Sequence, residues 1–258
     1  MGRHAGIAGI LRHGGGDRGI SRTRGASGAP FFCPGAAAPV SILPLQEYQT
    51  RHRRKEEKMD HQNGTVKTVC FTGKRPKDLF GYGKGRYTVL VARLTQECVR
   101  LAGQGYGLFI SGGAQGADQL AFWAIDKAKR QGLKVKNAVF RPFDGHEARW
   151  ARDGLFWQKE YWLMLRRADA VITCGARPDP AEGMGGVVEA MNLRNHLMVN
   201  HADLVFGICR GNPMDGSCKG GTKECLAYAA AMKKEIFLLD PFTLEGQYVF
   251  RNGEWLDI

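Results

Sequence analysis

The sequence predicts an α/β domain over residues 66 to 241, a three-layer sandwich in which a mostly parallel sheet lies between helices. Three observations predict it. From Val66 onward, short apolar runs rich in β-branched residues alternate with longer segments of helical period, the order expected of βαβ units. Glycine-rich turns join strand to helix at Gly73, at Gly112 to Gly116 and at Gly220 to Gly221. A chain of 258 residues, 43% of them hydrophobic, is also long and apolar enough to bury such a core.

In chain order, strands are predicted at 66–72, 106–111, 136–141, 169–174, 203–209 and 235–240. Amphipathic helices, each long enough to cover a sheet face, are predicted at 86–104, 117–131, 148–167, 184–200 and 221–233. The tail from 242 to 258 carries Asn252-Gly253 between short apolar pieces, a hairpin signal. Trp123, Trp157 and Trp162 fall within helical patterns and read as packing residues.

Residues 1 to 58 are a different text, dominated by Gly, Ala, Arg, Ser and Pro without sustained periodicity, and are expected to be a disordered basic extension. They hold ten basic and four acidic side chains, half of the net charge of +12. The folded part is therefore only modestly cationic, which suits an anionic small ligand as well as it suits DNA. Lys55-Glu56-Glu57 just before Met59 can be encoded by a purine-rich ribosome-binding sequence, so translation of a bacterial gene is expected to start at Met59.

No stretch reaches the roughly 18 to 20 apolar residues of a membrane span, and a cytoplasmic location is expected. Seven cysteines form no C-x-x-C pair and several sit in strand patterns; they read as reduced, buried thiols. Cys209, Cys218 and Cys225 lack zinc-site spacing, and neither a metal nor a cofactor is expected.

The chemistry lies in the turns. Ser111-Gly112-Gly113-Ala114-Gln115-Gly116-Ala117-Asp118 follows a strand and opens a helix, where glycines permit positive φ and unpaired N–H groups attract an anion. Asp118 either caps that helix or accepts a ligand hydroxyl. Thr72-Gly73-Lys74-Arg75 ends the first strand, and Lys219-Gly220-Gly221-Thr222-Lys223-Glu224 opens the last helix. All three turns fall at strand C-termini, where ligands sit in open α/β sheets; ordinary tight turns are the alternative. In Arg141-Pro142-Phe143-Asp144-Gly145-His146-Glu147-Ala148-Arg149-Trp150, Phe143 or Trp150 either stacks a base or, more commonly for such residues, joins the core.

These motifs, together with Arg194-Asn195, Met198-Val199, Ala202-Asp203 and Tyr228-Ala229, resemble the YpsA-like branch of the SLOG superfamily in register and order across nearly all of 66–241. The resemblance implies a Rossmann-like fold, a nucleotide or nucleotide-derived ligand, and a homo-oligomer. The superfamily includes the Lonely Guy phosphoribohydrolases, with M-x-x-R-K and G-G-x-G-T-x-x-E motifs, and DprA-like single-stranded DNA binders. Met191-Asn192-Leu193-Arg194-Asn195 matches the first motif except at its last residue, while Gly220-Gly221-Thr222-Lys223-Glu224 lacks a glycine and brings its acid one position early. One helical position is about 100° of rotation, so Glu224 is expected to point away from the family's direction.

The ligand-binding residues implied are Thr72, Gly73, Arg75, Ser111, Gly112, Gly113, Gly116, Asp118, Asn195, Gly220, Gly221 and Thr222. If hydrolysis of an N-glycosidic bond occurs, Arg194 holds the phosphate or sugar and Glu224 or Asp118 stabilises the sugar cation; otherwise Arg194 is a helix-surface cation. Sensor and nucleotide-processing roles both fit. A DNA-binding role, less favoured, would use Lys127, Lys129, Arg130, Lys134 and Lys136 as its cationic track. A third alternative is a protein-interaction module with a vestigial site.

Overall fold

The computed structural model describes residues 42–44 and 66–256, except 84, 86, 154, 212 and 214–216. Its strands are β1 (Ile42–Pro44), β2 (Lys67–Gly73), β3 (Tyr106–Ser111), β4 (Lys136–Arg141), β5 (Ala170–Thr173), β6 (Leu204–Ile208), β7 (Glu235–Leu239), β8 (Gly246–Arg251) and β9 (Glu254–Trp255). The helices are α1 (Thr88–Gly103), α2 (Ala117–Arg130), α3 (Leu155–Arg167), α4 (Gly183–Asn200) and α5 (Gly221–Ala231). Among the described residues they make one sheet of order β1-β5-β4-β3-β2-β6-β7-β8-β9. Pairing is parallel from β1 through β7 and antiparallel in the last two pairs. This is the α/β, Rossmann-like sandwich that the sequence predicts.

The two-residue alternation of β2 divides the core. Val69 and Phe71 pack with Leu90 and Leu94 of α1 and Leu120 of α2, while Cys70 faces Met198 and Val199 of α4 and Cys225 and Leu226 of α5. A third cluster sets Val139 of β4 against Tyr161 and Met164 of α3. Phe71, Phe109 and Phe206 are fully buried, each contributing about 1.5 to 3 kcal/mol.

From β2 the chain runs outward through β3, β4 and β5, whereas β6, on the other side of β2, leads to β7. Connections leaving β2 and β6 therefore diverge, which makes their C-terminal ends the switch point of the sheet, the usual ligand position in such folds.

The predicted helix at 148–167 is divided into a 3-10 segment, His146–Asp153, and α3. The tighter coil brings His146 and Trp150 edge-on to Tyr161, with ring centroids 5.1 and 5.3 Å away. Phe143 and Trp150 are buried, the core alternative for those rings. Trp162, expected to pack, is instead 47% exposed: Tyr161 and Met164 take the inward face of α3, and the indole N–H of Trp162 donates to Glu147 Oε1 at 3.2 Å. In the tail, Asn252 and Gly253 have φ of 56° and 85°, the left-handed pair of a type I′ turn, and the β8–β9 hairpin extends the sheet beside β7. Of the basic extension, β1 is the part described: three residues paired with β5, where no regular structure was expected. The remainder of residues 1 to 58, with Cys33 and the Met59 start, lies outside the described residues.

Candidate functional site

Lys74, the residue after β2, ties the switch point together. Its N–H donates to the carbonyl of Ile208 at the end of β6, and its carbonyl accepts from the N–H of Ala117 at the start of α2, both at 3.1 Å. Its Nζ donates to the carbonyl of Lys219 at 2.7 Å. One residue thus touches the segments that carry all three glycine-rich turns. Gly73 permits the approach, since a Cβ there would overlap Ala117 Cβ and the Ile208 carbonyl. Gly116, at φ 90°, faces the Lys74 carbonyl so closely that a side chain would collide with it. Gly113 lies elsewhere: its hypothetical Cβ is 2.8 Å from Tyr161 Cε2, in the packing under α3.

The turn at 111–118 is not open in the way its glycines suggest. Every residue from Ser111 to Leu120 is buried. The Ala117 amide is spent on Lys74, and that of Ala114 donates to Asp118 Oδ2 at 3.2 Å. Asp118 does not cap its own helix; its carboxylate turns back to the loop and meets Arg194 Nη1 at 3.2 Å. Gly112 makes room for this pair, because a Cβ there would overlap Nη1 and come within 2.6 Å of Asp118 Oδ2. Arg194 is 5% exposed, which overturns the surface-cation alternative. Burial raises the Asp118 pKa, while Arg194, Arg75 and the Ala114 N–H work in the opposite direction.

The first turn of α5 is the open end. Gly220 and Gly221 are exposed, Gly220 sits at φ 73° without a side-chain cap, and nothing crowds either glycine. Thr222 is buried, as is Thr72, whose side chain bonds to the Cys225 thiol. Glu224 is exposed, and the acid at Arg194 is Asp118. Asn195 is half-buried beside Arg194 on α4.

Beyond Arg194 lies a set of buried polar groups from neighbouring elements. Arg141 ends β4, donating from Nε to Thr173 Oγ1 at 2.8 Å and pairing with Asp144. His146 packs between Trp150 and Tyr161. Burial first, then Arg194, Arg75 and Arg141, lower its pKa to about 3. Ser111 Oγ, Arg141 Nη2, His146 Nε2, Tyr161 Oη and Arg194 Nε have no hydrogen-bond partner among the described residues. Buried polar atoms are usually satisfied, and the described residues hold further unpartnered ones away from this edge, among them Asn137 Oδ1 and Trp123 Nε1.

A family model described as the YspA SLOG family matches residues 69–244. The chain belongs to this SLOG family. It is also similar to the "Uncharacterized SPbeta prophage-derived protein YoqJ" of Bacillus subtilis (strain 168), 32% identical over 133 residues, which cover 47% of this chain and 68% of that protein.

SLOG membership accounts for the resemblance of the glycine turns and of Met191 to Asn195. His146 and Arg141 escaped assignment to the site from sequence because no spacing rule links them to Arg194; the polar character of 141–150 was the signal available. The six described cysteines are buried and unbridged, with Cys209 and Cys218 Sγ atoms 3.7 Å apart. In the cationic group on α2 and beyond, Lys129 pairs with Asp169 and Arg130 with Asp126. No helix among the described residues is long and apolar enough to cross a membrane.

Proposed function

We propose that this SLOG protein binds a nucleotide or nucleotide-derived ligand in the cytoplasm, at the switch point between the C-terminal ends of β2 and β6. The observation that carries the proposal is the threefold engagement of Lys74 with Ile208, Ala117 and Lys219, which gathers the glycine turns at one sheet edge. The ligand phosphate is seated on the first turn of α5, where exposed Gly220 and Gly221, with no side-chain cap, lead into buried Thr222 and offer backbone N–H groups and the positive end of the helix dipole. Arg75 adds charge from the facing loop. Gly73, Gly112 and Gly116 act by permitting close packing, while Arg194 and Asp118 form the floor. The DNA-binding alternative is less supported, since Lys129 and Arg130 are committed to acids.

The test is thermal stabilisation of the full-length chain by a panel of nucleoside mono-, di- and triphosphates, with oligothymidylate in parallel. A true ligand raises stability with the logarithm of its concentration, by roughly 2.7 kcal/mol at a hundredfold excess over Kd. Stabilisation by oligothymidylate alone, with a steep loss on adding salt, would transfer the assignment to single-stranded DNA.

A further inference from the structure

Two thiols meet in the segment that leads from β6 to the first turn of α5. Cys209 is the residue after β6 and Cys218 lies two residues before Gly220; their Sγ atoms are 3.7 Å apart and both side chains are buried. A disulfide needs its sulfurs at about 2.05 Å, so the pair stands one short approach from a covalent bond. The chain beside the pair is already drawn together: at Gly211, φ 87°, a side chain would overlap Ser217.

As folded, the pair is protonated and unreactive. The hydrogen bond from Cys218 first, and then burial, raise the Cys209 pKa, while the Lys74 charge works in the opposite direction. Thiols are poor nucleophiles compared with thiolates. The cover is nevertheless thin, since Arg210, Ser217 and Lys219, the sequence neighbours of the two cysteines, are exposed. Local opening removes the S–H···S bond and the burial together and leaves the charge of Lys74 to favour the Cys209 thiolate.

Resting on the nucleotide reading above, we propose that Cys209 and Cys218 form a reversible disulfide with hydrogen peroxide as oxidant, and that this bond weakens the phosphate seat at Gly220 and Gly221. The Cys209 thiolate attacks one peroxide oxygen and the O–O bond breaks; the hydroxide released takes up the thiol proton, giving water and a sulfenic acid on Cys209. The Cys218 thiolate then attacks that sulfur, the S–O bond breaks, and the departing hydroxide takes up the second thiol proton as water. Two thiols and one peroxide give one disulfide and two waters, the sulfurs losing the two electrons that the peroxide gains. An added dithiol restores both thiols by exchange.

The seat responds because one end of the pair is anchored. The Cys209 N–H donates to the Leu239 carbonyl of β7 at 3.2 Å, whereas Cys218 lies outside any strand or helix. Closing the sulfurs from 3.7 Å by about 1.6 Å therefore draws Cys218 toward β6. Lys219 follows it, and its carbonyl accepts from Lys74 Nζ at 2.7 Å. A shift on that scale breaks the bond and displaces the turn that it holds.

The experiment is treatment of the full-length chain with hydrogen peroxide, then peptide mapping by mass spectrometry and calorimetric titration with AMP, ADP and ATP, before and after reduction with dithiothreitol. The expected result is a Cys209–Cys218 cross-link, an affinity lowered about tenfold for the nucleotide that binds, and recovery on reduction. Cys218→Ser should bind that nucleotide as the reduced protein does and ignore peroxide. Should it fail to fold, as circular dichroism would show, Cys218→Ala makes the same comparison. Peroxide that leaves these two thiols unlinked, or links them to other cysteines, would overturn the proposal. A cross-link with unchanged affinity would overturn its control of the seat and leave nucleotide binding standing, and an equal loss of affinity in Cys218→Ser would trace the effect to another group and overturn it too. Absence of nucleotide binding by the reduced protein would overturn that control together with the reading on which it rests.

Discussion

Arg194 Nη1 and Asp118 Oδ2 meet at 3.2 Å across 76 positions of sequence, directly over the Cα of Gly112. The pair joins α4 to the first turn of α2, on opposite faces of the sheet, over a glycine whose Cβ would collide with it. Breaking such a pair from one side leaves a buried charge unmatched, which is costlier than never having built it.

Gly112→Ala should therefore act as a mutation of Arg194. The added methyl displaces the guanidinium, and overpacking of this kind costs about 1 to 3 kcal/mol. Urea denaturation measures the loss. A fully stable Gly112→Ala protein that retains the Arg194–Asp118 contact would show that the loop has slack the structure does not display.

The pH dependence of stability contains a contribution from His146. Its folded pKa is depressed to about 3 from an ordinary 6.5, so the unfolded chain binds the proton more readily. The resulting penalty is absent above pH 6.5, grows as pH falls through 6.5, and levels off only near the folded value. Between roughly pH 7.5 and pH 5 it amounts to about 2 kcal/mol. The stability advantage of the unaltered protein over His146→Phe should shrink by that amount over this interval, and a pH-independent difference would contradict the assignment.

Gly73 and Gly221 should separate structural from binding glycines. At Gly73 a methyl meets Ala117 Cβ and the Ile208 carbonyl, whereas at Gly221 nothing lies within 4 Å. Gly73→Ala is expected to lower stability by about 1 to 3 kcal/mol. Gly221→Ala should leave stability within about 0.5 kcal/mol and weaken nucleotide affinity, read as a reduced ligand-induced shift in Tm.

Glu224 and Asp118 are predicted to behave oppositely. Glu224→Gln alters an exposed side chain on the first turn of α5 and should change neither fold nor nucleotide affinity by more than about 0.5 kcal/mol. Asp118→Asn alters a buried ion pair and should lower stability markedly, by about 3 kcal/mol. Urea denaturation with titration of both variants checks the contrast; a large loss of affinity in Glu224→Gln would return the acid to the ligand.

Local physics made much of this legible in advance. The strands were readable because β-branched runs end at glycine, and the terminal hairpin because Asn252-Gly253 favours positive φ at two successive residues. The acid that comes one position early predicts a turn away from the family's direction, and Glu224 is exposed in the structure. What the sequence could not display was how amides are allocated: glycines marked the turn at 111–116, but nothing local says that the Ala117 N–H goes to Lys74 or the Ala114 N–H to Asp118. Those bonds depend on strands adjacent only after folding. Likewise, Arg194, a candidate ligand-holding residue with a surface cation as the alternative, showed its pairing with Asp118 only once α4 packed over Gly112, and the lowered pKa of His146 comes first from burial and then from arginines on three separate segments.

The antiparallel hairpin has a protective consequence. β7 carries Ile236-Phe237-Leu238-Leu239, and β8 occupies its outer hydrogen-bonding edge. A chain cut after Pro241 would expose the N–H and C=O groups of an apolar strand to any extended peptide, inviting aggregation through edge-to-edge pairing. The hairpin moves the boundary to a two-residue strand bearing Glu254, too short and too charged to template another molecule.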